Sequence, residues 1–279
     1  MQKFVEQKFI GERAMFGAKD AEFERCGFAA GESPLKHGQN LRLKNCTFEW
    51  KYPLWYTKNV TVEDGFLMQM ARAGIWYAQD VSFKDTLIQA PKSFRRCQNV
   101  RLENVNLTQA EETLWSCADV EIKNVCARGD YFAMNCENVR VYGLNLDGNY
   151  GFDGCKNLLV EDSKLLSKDA FWNCENVTVR NSFISGEYLA WNSKNVTFEN
   201  CVIESLQGLC YVQNLVLRGC QTLDTTLAFE YSSVDAEILG GIASVKNPLS
   251  GVIRAKEIGE IIMQKECVDP AATKIMLEK

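Results

Sequence analysis

Two acidic residues, Asp153 and Asp169, stand where paired carboxylates could do general acid and base work. Asp153 lies in Gly151-Phe152-Asp153-Gly154, and its flanking glycines permit a bulge that re-aims a carboxylate. Asp169 belongs to a series with Tyr131, Tyr150 and Tyr188 at steps of 19 residues, in the place of a fourth tyrosine. Phenol rings can stack on sugar rings, and nearby amides such as Asn173 can bond their hydroxyls. The series therefore reads as a strip for a glycan or another polyhydroxylated ligand. The plainer reading is an aromatic ladder that stiffens an exposed sheet, with Asp153 bonded locally.

Arg95 falls in a column between Trp76 and Trp115, where a guanidinium can stack between indoles, and with Arg96 it could hold an anion. The chain has a single histidine, His37, which argues against histidine metal sites and Ser-His-Asp machinery. Its 12 cysteines include no Cys-x-x-Cys pair, and Cys97, Cys117, Cys136, Cys155 and Cys174 form one column of small, buried, reduced side chains. Neither a metal nor a cofactor is expected.

These residues are placed by a repeat. An Asn or Asp anchor followed by apolar residues at +1 and +3, and by Asn, Asp or Gly at +5, recurs at Asn40, Asn59, Asp80, Asn99, Asp119, Asn138, Asn157, Asn176, Asn195, Asn214 and Asp235. Seven of the ten intervals are 19 residues and the rest are 20 or 21, which leaves room for short strands but no helix. Apolar alternation after the anchor, as in Val177 and Val179, is a half-buried strand, and a second short alternation follows the +5 turn. Stacked coils would align the anchors into an amide ladder. The expectation is an all-β, right-handed parallel β-helix of about a dozen coils.

A single domain is expected over 1–279, with 1–19 as first coil or cap, 20–265 as repeat coils and 266–279 as a C-terminal cap. The segment before each anchor is harder to read. If it is a strand, inward −6, −4 and −2 positions bury Lys36, Arg95 and Asp153, whereas the opposite parity buries Lys92, Arg96, Glu112, Asp169 and Glu230. Buried charge favours the first choice, which places the tryptophans inside and Phe152 and Phe171 outside.

A net charge of −5 gives no basic footprint, so neither nucleic acid nor an anionic membrane surface is an expected partner. The opening residues lack a signal-peptide core, and a cytoplasmic location is the default expectation. The coil resembles the right-handed β-helix of the pectin lyase-like superfamily, and its Cys-x-Asn-Val phrase resembles an uncharacterised bacterial domain-of-unknown-function family with short regular coils. Ala170-Phe171-Trp172-Asn173-Cys174 also resembles a phrase of bacterial leucine-rich repeats, but the 19-residue period is shorter than those repeats require.

The resemblance implies carbohydrate chemistry, yet none of the Asn-Thr-Asp, Asp-Asp, Gly-His-Gly or Arg-Ile-Lys patterns of polygalacturonase-like enzymes occurs here, nor does the Arg-x-Pro-x-x-Arg of pectate lyases. Three function classes follow. The first is a carbohydrate-binding or carbohydrate-modifying β-helix, the second a non-enzymatic scaffold or protein-binding solenoid, and the third an anion or small-metabolite sensor.

Overall fold

The structure is a computed structural model that describes residues 1–277. It is an all-β parallel solenoid of about 15 turns, somewhat more than the dozen counted from the anchors. The chain divides into two compact units, Met1–Asn145 and Leu146–Lys279. In the first, strands such as Gln39–Lys44, Lys58–Glu63 and Gln79–Lys84 pair in parallel, with Leu41, Val60 and Val81 in register. In the second, Lys156–Glu161, Glu175–Arg180 and Lys194–Glu199 do the same through Leu158, Val177 and Val196. The +1 and +3 side chains are buried: Val177 and Val179 are both 0% exposed.

Corner conformation explains the anchor chemistry. Asn40, Asn59, Asn99, Asn176, Asn195 and Asn214 all have φ between 53° and 60°, and +5 residues such as Asn45 and Asn200 are left-handed as well, at 52° and 54°. Asn and Asp tolerate this left-handed region better than other residues with a Cβ. The anchor amides then bond along the stack. Asn59 Nδ2 donates to Asn40 Oδ1 at 2.9 Å in the first unit, and Asn195 to Asn176 and Asn214 to Asn195 at 2.9 Å in the second.

Charge is ordered along the stack as well. The outward +4 position runs Glu24, Lys44, Glu63, Lys84, Glu103, Lys123 through the paired strands of the first unit. In the second it runs Glu161, Arg180, Glu199, Arg218, with Arg180 bonded to Glu199 at 2.6 Å and lying 3.5 Å from Glu161. Alternating sign avoids like-charge pairs opposite one another in adjacent strands, so it favours this register over a slip by one coil.

The segment before each anchor is not a strand, and neither predicted parity holds. From the Asn99 coil to the Asn214 coil its −7, −5 and −3 residues have positive φ, as at Asp169, Phe171 and Asn173 with 59°, 62° and 54°, whereas in the Asn40, Asn59 and Asp80 coils only −7 and −3 do. The backbone coils so that −6, −5 and −2 point inward while −4 and −3 point outward, except in the Asn214 and Asp235 coils, where Cys210 at −4 and Ser232 at −3 are buried. Phe152 and Phe171 are therefore 0% exposed, and Trp172 and Trp191 are half-buried on the surface. Asp153 is not a buried anomaly but a half-buried surface residue, and Asp169, expected outside, is only 2% exposed.

This backbone turns carbonyls into the core, and the −2 column supplies donors for them. Cys136 Sγ reaches the Leu114 carbonyl at 2.8 Å, Cys174 Sγ the Phe152 carbonyl at 3.0 Å, and Ser193 Oγ the Phe171 carbonyl at 2.6 Å. The column of five cysteines is buried as expected, but its thiols have a bonding task beyond filling space. At the far end, Asp269 caps a single 3₁₀ turn at Pro270–Ala272, and Thr273–Leu277 pairs with Ser250–Ala255 as a last strand. The final two residues of the expected 266–279 cap lie outside the described residues.

Candidate functional site

In the second unit, the outward −4 and −3 positions build an aromatic ridge. Trp172 and Trp191 lie 6.3 Å apart at 31°, Trp191 and Tyr211 4.4 Å apart at 44°, and Tyr211 and Tyr231 5.3 Å apart at 45°. The rings are tilted against one another instead of lying in a flat stack. Trp172 is held by its indole N–H, which donates to the Tyr188 carbonyl at 2.7 Å. Beside the ridge runs an amide ladder in which Asn192 Nδ2 donates to Asn173 Oδ1 at 2.9 Å and Asn173 Nδ2 donates to Asp153 Oδ1 at 3.0 Å.

The predicted tyrosines frame this ridge more than they form it. Tyr150 packs edge-on to Trp172 at 6.1 Å and Tyr188 edge-on to Trp191 at 5.7 Å, both near 89°. The Tyr150 hydroxyl bonds the Asp169 carboxylate, whose Oδ1 is buried with no hydrogen-bond partner. Burial raises the Asp169 pKa above the ordinary aspartate value; nearby Glu187 adds to the rise, and Lys168 and the Tyr150 bond oppose it. Lys168 is engaged with Glu187 at 3.0 Å. Asp153 and Asp169 thus have separate surroundings: one is tied into the amide ladder, the other sealed behind Tyr150.

A shallow depression of about 340 Å³ opens next to Lys168 and Glu187 and is also lined by Ser185, Gly186, Glu204, Ser205, Leu206 and Asp224. The pairing irregularity between Glu204 and Leu206 lies among its lining residues, a bulge of the kind that re-aims side chains. Among the described residues there is no cluster of His, Cys, Asp and Glu able to hold a metal ion, and no helix is long and apolar enough to cross a membrane.

Tyr131, Arg95 and Arg96 belong to the first unit. There the −4 column runs Lys36, Trp55, Trp76, Arg95, Trp115. The Arg95 guanidinium lies 4.7 Å from the Trp76 centroid and 4.8 Å from that of Trp115, and it bonds Glu112 at 2.8 Å. Next to it, His37 stacks on Tyr56 at 5.1 Å, Tyr56 on Tyr77 at 4.9 Å, and Arg96 lies 5.9 Å over Tyr77. Tyr131 packs against Trp115 at 6.3 Å. The ridge of Trp172, Trp191, Tyr211 and Tyr231 was not anticipated, because strand parity turned its tryptophans inward. Equal spacing of Trp172 and Trp191 with Asn173 and Asn192 right after them was the available signal.

Comparison with known proteins places the chain in a family: it belongs to the one described as "Protein of unknown function (DUF3737)", matched over residues 2–276. No curated protein matches it in sequence. Among solved structures it is similar to the tailspike protein of E. coli bacteriophage HK620 in complex with pentasaccharide, at 7% identity over 88% of this chain and 65% of that one, TM-score 0.39. It is similar to the Azotobacter vinelandii mannuronan C-5 epimerase AlgE6 A-module at 10% identity over 94% and 89%, TM-score 0.35. It is also similar to QnrB1, a plasmid-mediated fluoroquinolone resistance protein, at 14% identity over 67% and 91%, TM-score 0.27.

Proposed function

We propose that this member of the family is a glycan-binding protein, and that the ridge of Trp172, Trp191, Tyr211 and Tyr231 is its ligand strip. The observation that carries the reading is a row of tilted aromatic rings, one per coil over four coils, with an amide ladder of Asn173, Asn192 and Asp153 beside Trp172 and Trp191. A linear ligand lying along the coils meets one ring per coil, and little of the protein needs ordering on binding. Stacking supplies affinity, while Asn173 and Asn192 offer partners to sugar hydroxyls. Binding is favoured over turnover because Asp169 is 2% exposed and Asp153 is committed to Asn173.

The test is a panel of soluble oligosaccharides against wild type, Trp191→Ala and Tyr211→Ala, with circular dichroism as the folding control. Each ring removed should weaken binding by about 1 kcal/mol, a fivefold change in Kd. Oligosaccharides that bind all three proteins equally would move the site off the ridge. Product formation that is abolished by Asp169→Asn would replace the binding reading with an enzymatic one.

A further inference from the structure

We infer that the paired columns of the first unit, Lys36-Trp55-Trp76-Arg95-Trp115 and His37-Tyr56-Tyr77-Arg96, form a docking surface for an acidic segment of a partner protein. The surface is independent of the glycan ridge and differs from it in geometry. Trp55 and Trp76 stack at 5.1 Å and 8°, and Tyr56 and Tyr77 at 4.9 Å and 6°. Their faces are occupied by one another, so neither a sugar nor a nucleobase finds an open face to stack on. What remains toward solvent is ring edges, the electropositive rim of the aromatic quadrupole.

Charge on the columns points the same way. They carry Lys36, Arg95 and Arg96 and no carboxylate. Arg95 is ion-paired through Nη2 with Glu112 while its Nε is buried without a hydrogen-bond partner, and among the described residues neither Lys36 nor Arg96 has a carboxylate within the 4.0 Å of an ion pair. Lys36 sits 5.6 Å over Trp55, and Arg96 lies over Tyr77, so both cations are held out along the column. The indoles are fixed too, with Trp55 Nε1 donating to the Ala73 carbonyl at 2.5 Å and Trp76 Nε1 to the Lys92 carbonyl at 2.9 Å. Rigid Trp, Tyr and Arg side chains are the usual anchors of protein interfaces, and two unpaired cations beside positive ring edges select carboxylates.

The experiment uses the full chain and a fluorescein-labelled deca-glutamate peptide, read by anisotropy at low salt, with deca-glutamine and a thymidine oligonucleotide as controls. Wild type should bind deca-glutamate alone, and the double variant Lys36→Gln with Arg96→Gln should bind it at least about tenfold more weakly, the loss of one charged contact. Because His37 is the single histidine, its imidazole proton resonance reports this surface uniquely, and it should move on adding the peptide to wild type but not to the double variant. Equal binding of deca-glutamine, preference for the oligonucleotide, an unmoved His37 resonance or undiminished binding by the folded double variant would each overturn the inference.

Discussion

Ser193 offers the sharpest test of how the third segment is held. Its hydroxyl accepts from the Cys174 amide at 2.9 Å and donates to the Phe171 carbonyl at 2.6 Å, within a side chain 3% exposed. Ser193→Ala removes one oxygen, adds no volume and strands two buried backbone groups, each costing about 1–3 kcal/mol. A loss of about 2–5 kcal/mol is expected, large against the stability of an average domain. Ser193→Cys should recover most of it, because Cys136 makes the same two contacts elsewhere, accepting from the Cys117 amide at 3.4 Å and donating to Leu114 at 2.8 Å. A solenoid need not unfold in one step, so the denaturation midpoint should be read beside hydrogen exchange at the Cys174 amide. Alanine and cysteine variants of equal stability, or a Cys174 amide equally protected in both, would refute the bridging role.

Other consequences are as direct. Asp169 has its pKa raised by burial, so the folded state binds its proton more tightly than the unfolded chain does, and its ionisation opposes folding as pH rises from the ordinary aspartate value through the raised one. Asp169→Asn should therefore raise Tm at neutral pH and lose that advantage in acid; equal effects at both pH values would contradict this. Glu103→Lys would place three lysines in a row with Lys84 and Lys123, lowering Tm at low salt and less so at high salt, as thermal melts at two ionic strengths would show. Val177→Asp puts a charge at a 0% exposed position and removes about 1.5–3 kcal/mol of apolar burial, so exchange protection should fall in the adjoining strands as well.

The parts of this fold that follow strand or turn chemistry were legible in the letters. Val177 and Val179 alternate with Thr178, and the anchors need a residue that accepts positive φ and can bond its own kind, so coil register and the amide ladder could be read before any coordinates. The third segment was not legible, because period-2 reasoning assumes a pleated strand. Phe171 beside Trp172 looked like one inward and one outward residue. With φ of 62° at Phe171 the chain instead buries the phenylalanine and presents the tryptophan. Cysteine had a bland explanation as a small apolar residue, and only its recurrence in the same column as Ser193 and Ser232, whose Oγ reaches the Leu209 carbonyl at 2.8 Å, shows that a donor is required there.

That backbone also decides what kind of surface this molecule can offer. A pleated strand shows every second residue to solvent, so its outward columns are separated by a buried one. Alternating handedness exposes −4 and −3 together, and two columns stand side by side: Trp172 next to Asn173, Trp191 next to Asn192, Trp76 next to Tyr77. Left-handed residues with a Cβ cost about 1–2 kcal/mol each, and left-handed positions recur from coil to coil at Phe94, Leu114, Phe152 and Phe171. Strain confined to one place suggests a local active site, whereas strain repeated at every turn belongs to the architecture. Side chains at the same position of successive coils therefore act together, and under the two proposals above a change of ligand requires substitutions at one position of several coils, tilted rings serving the proposed glycan ridge and flat stacks with free cations the proposed carboxylate surface.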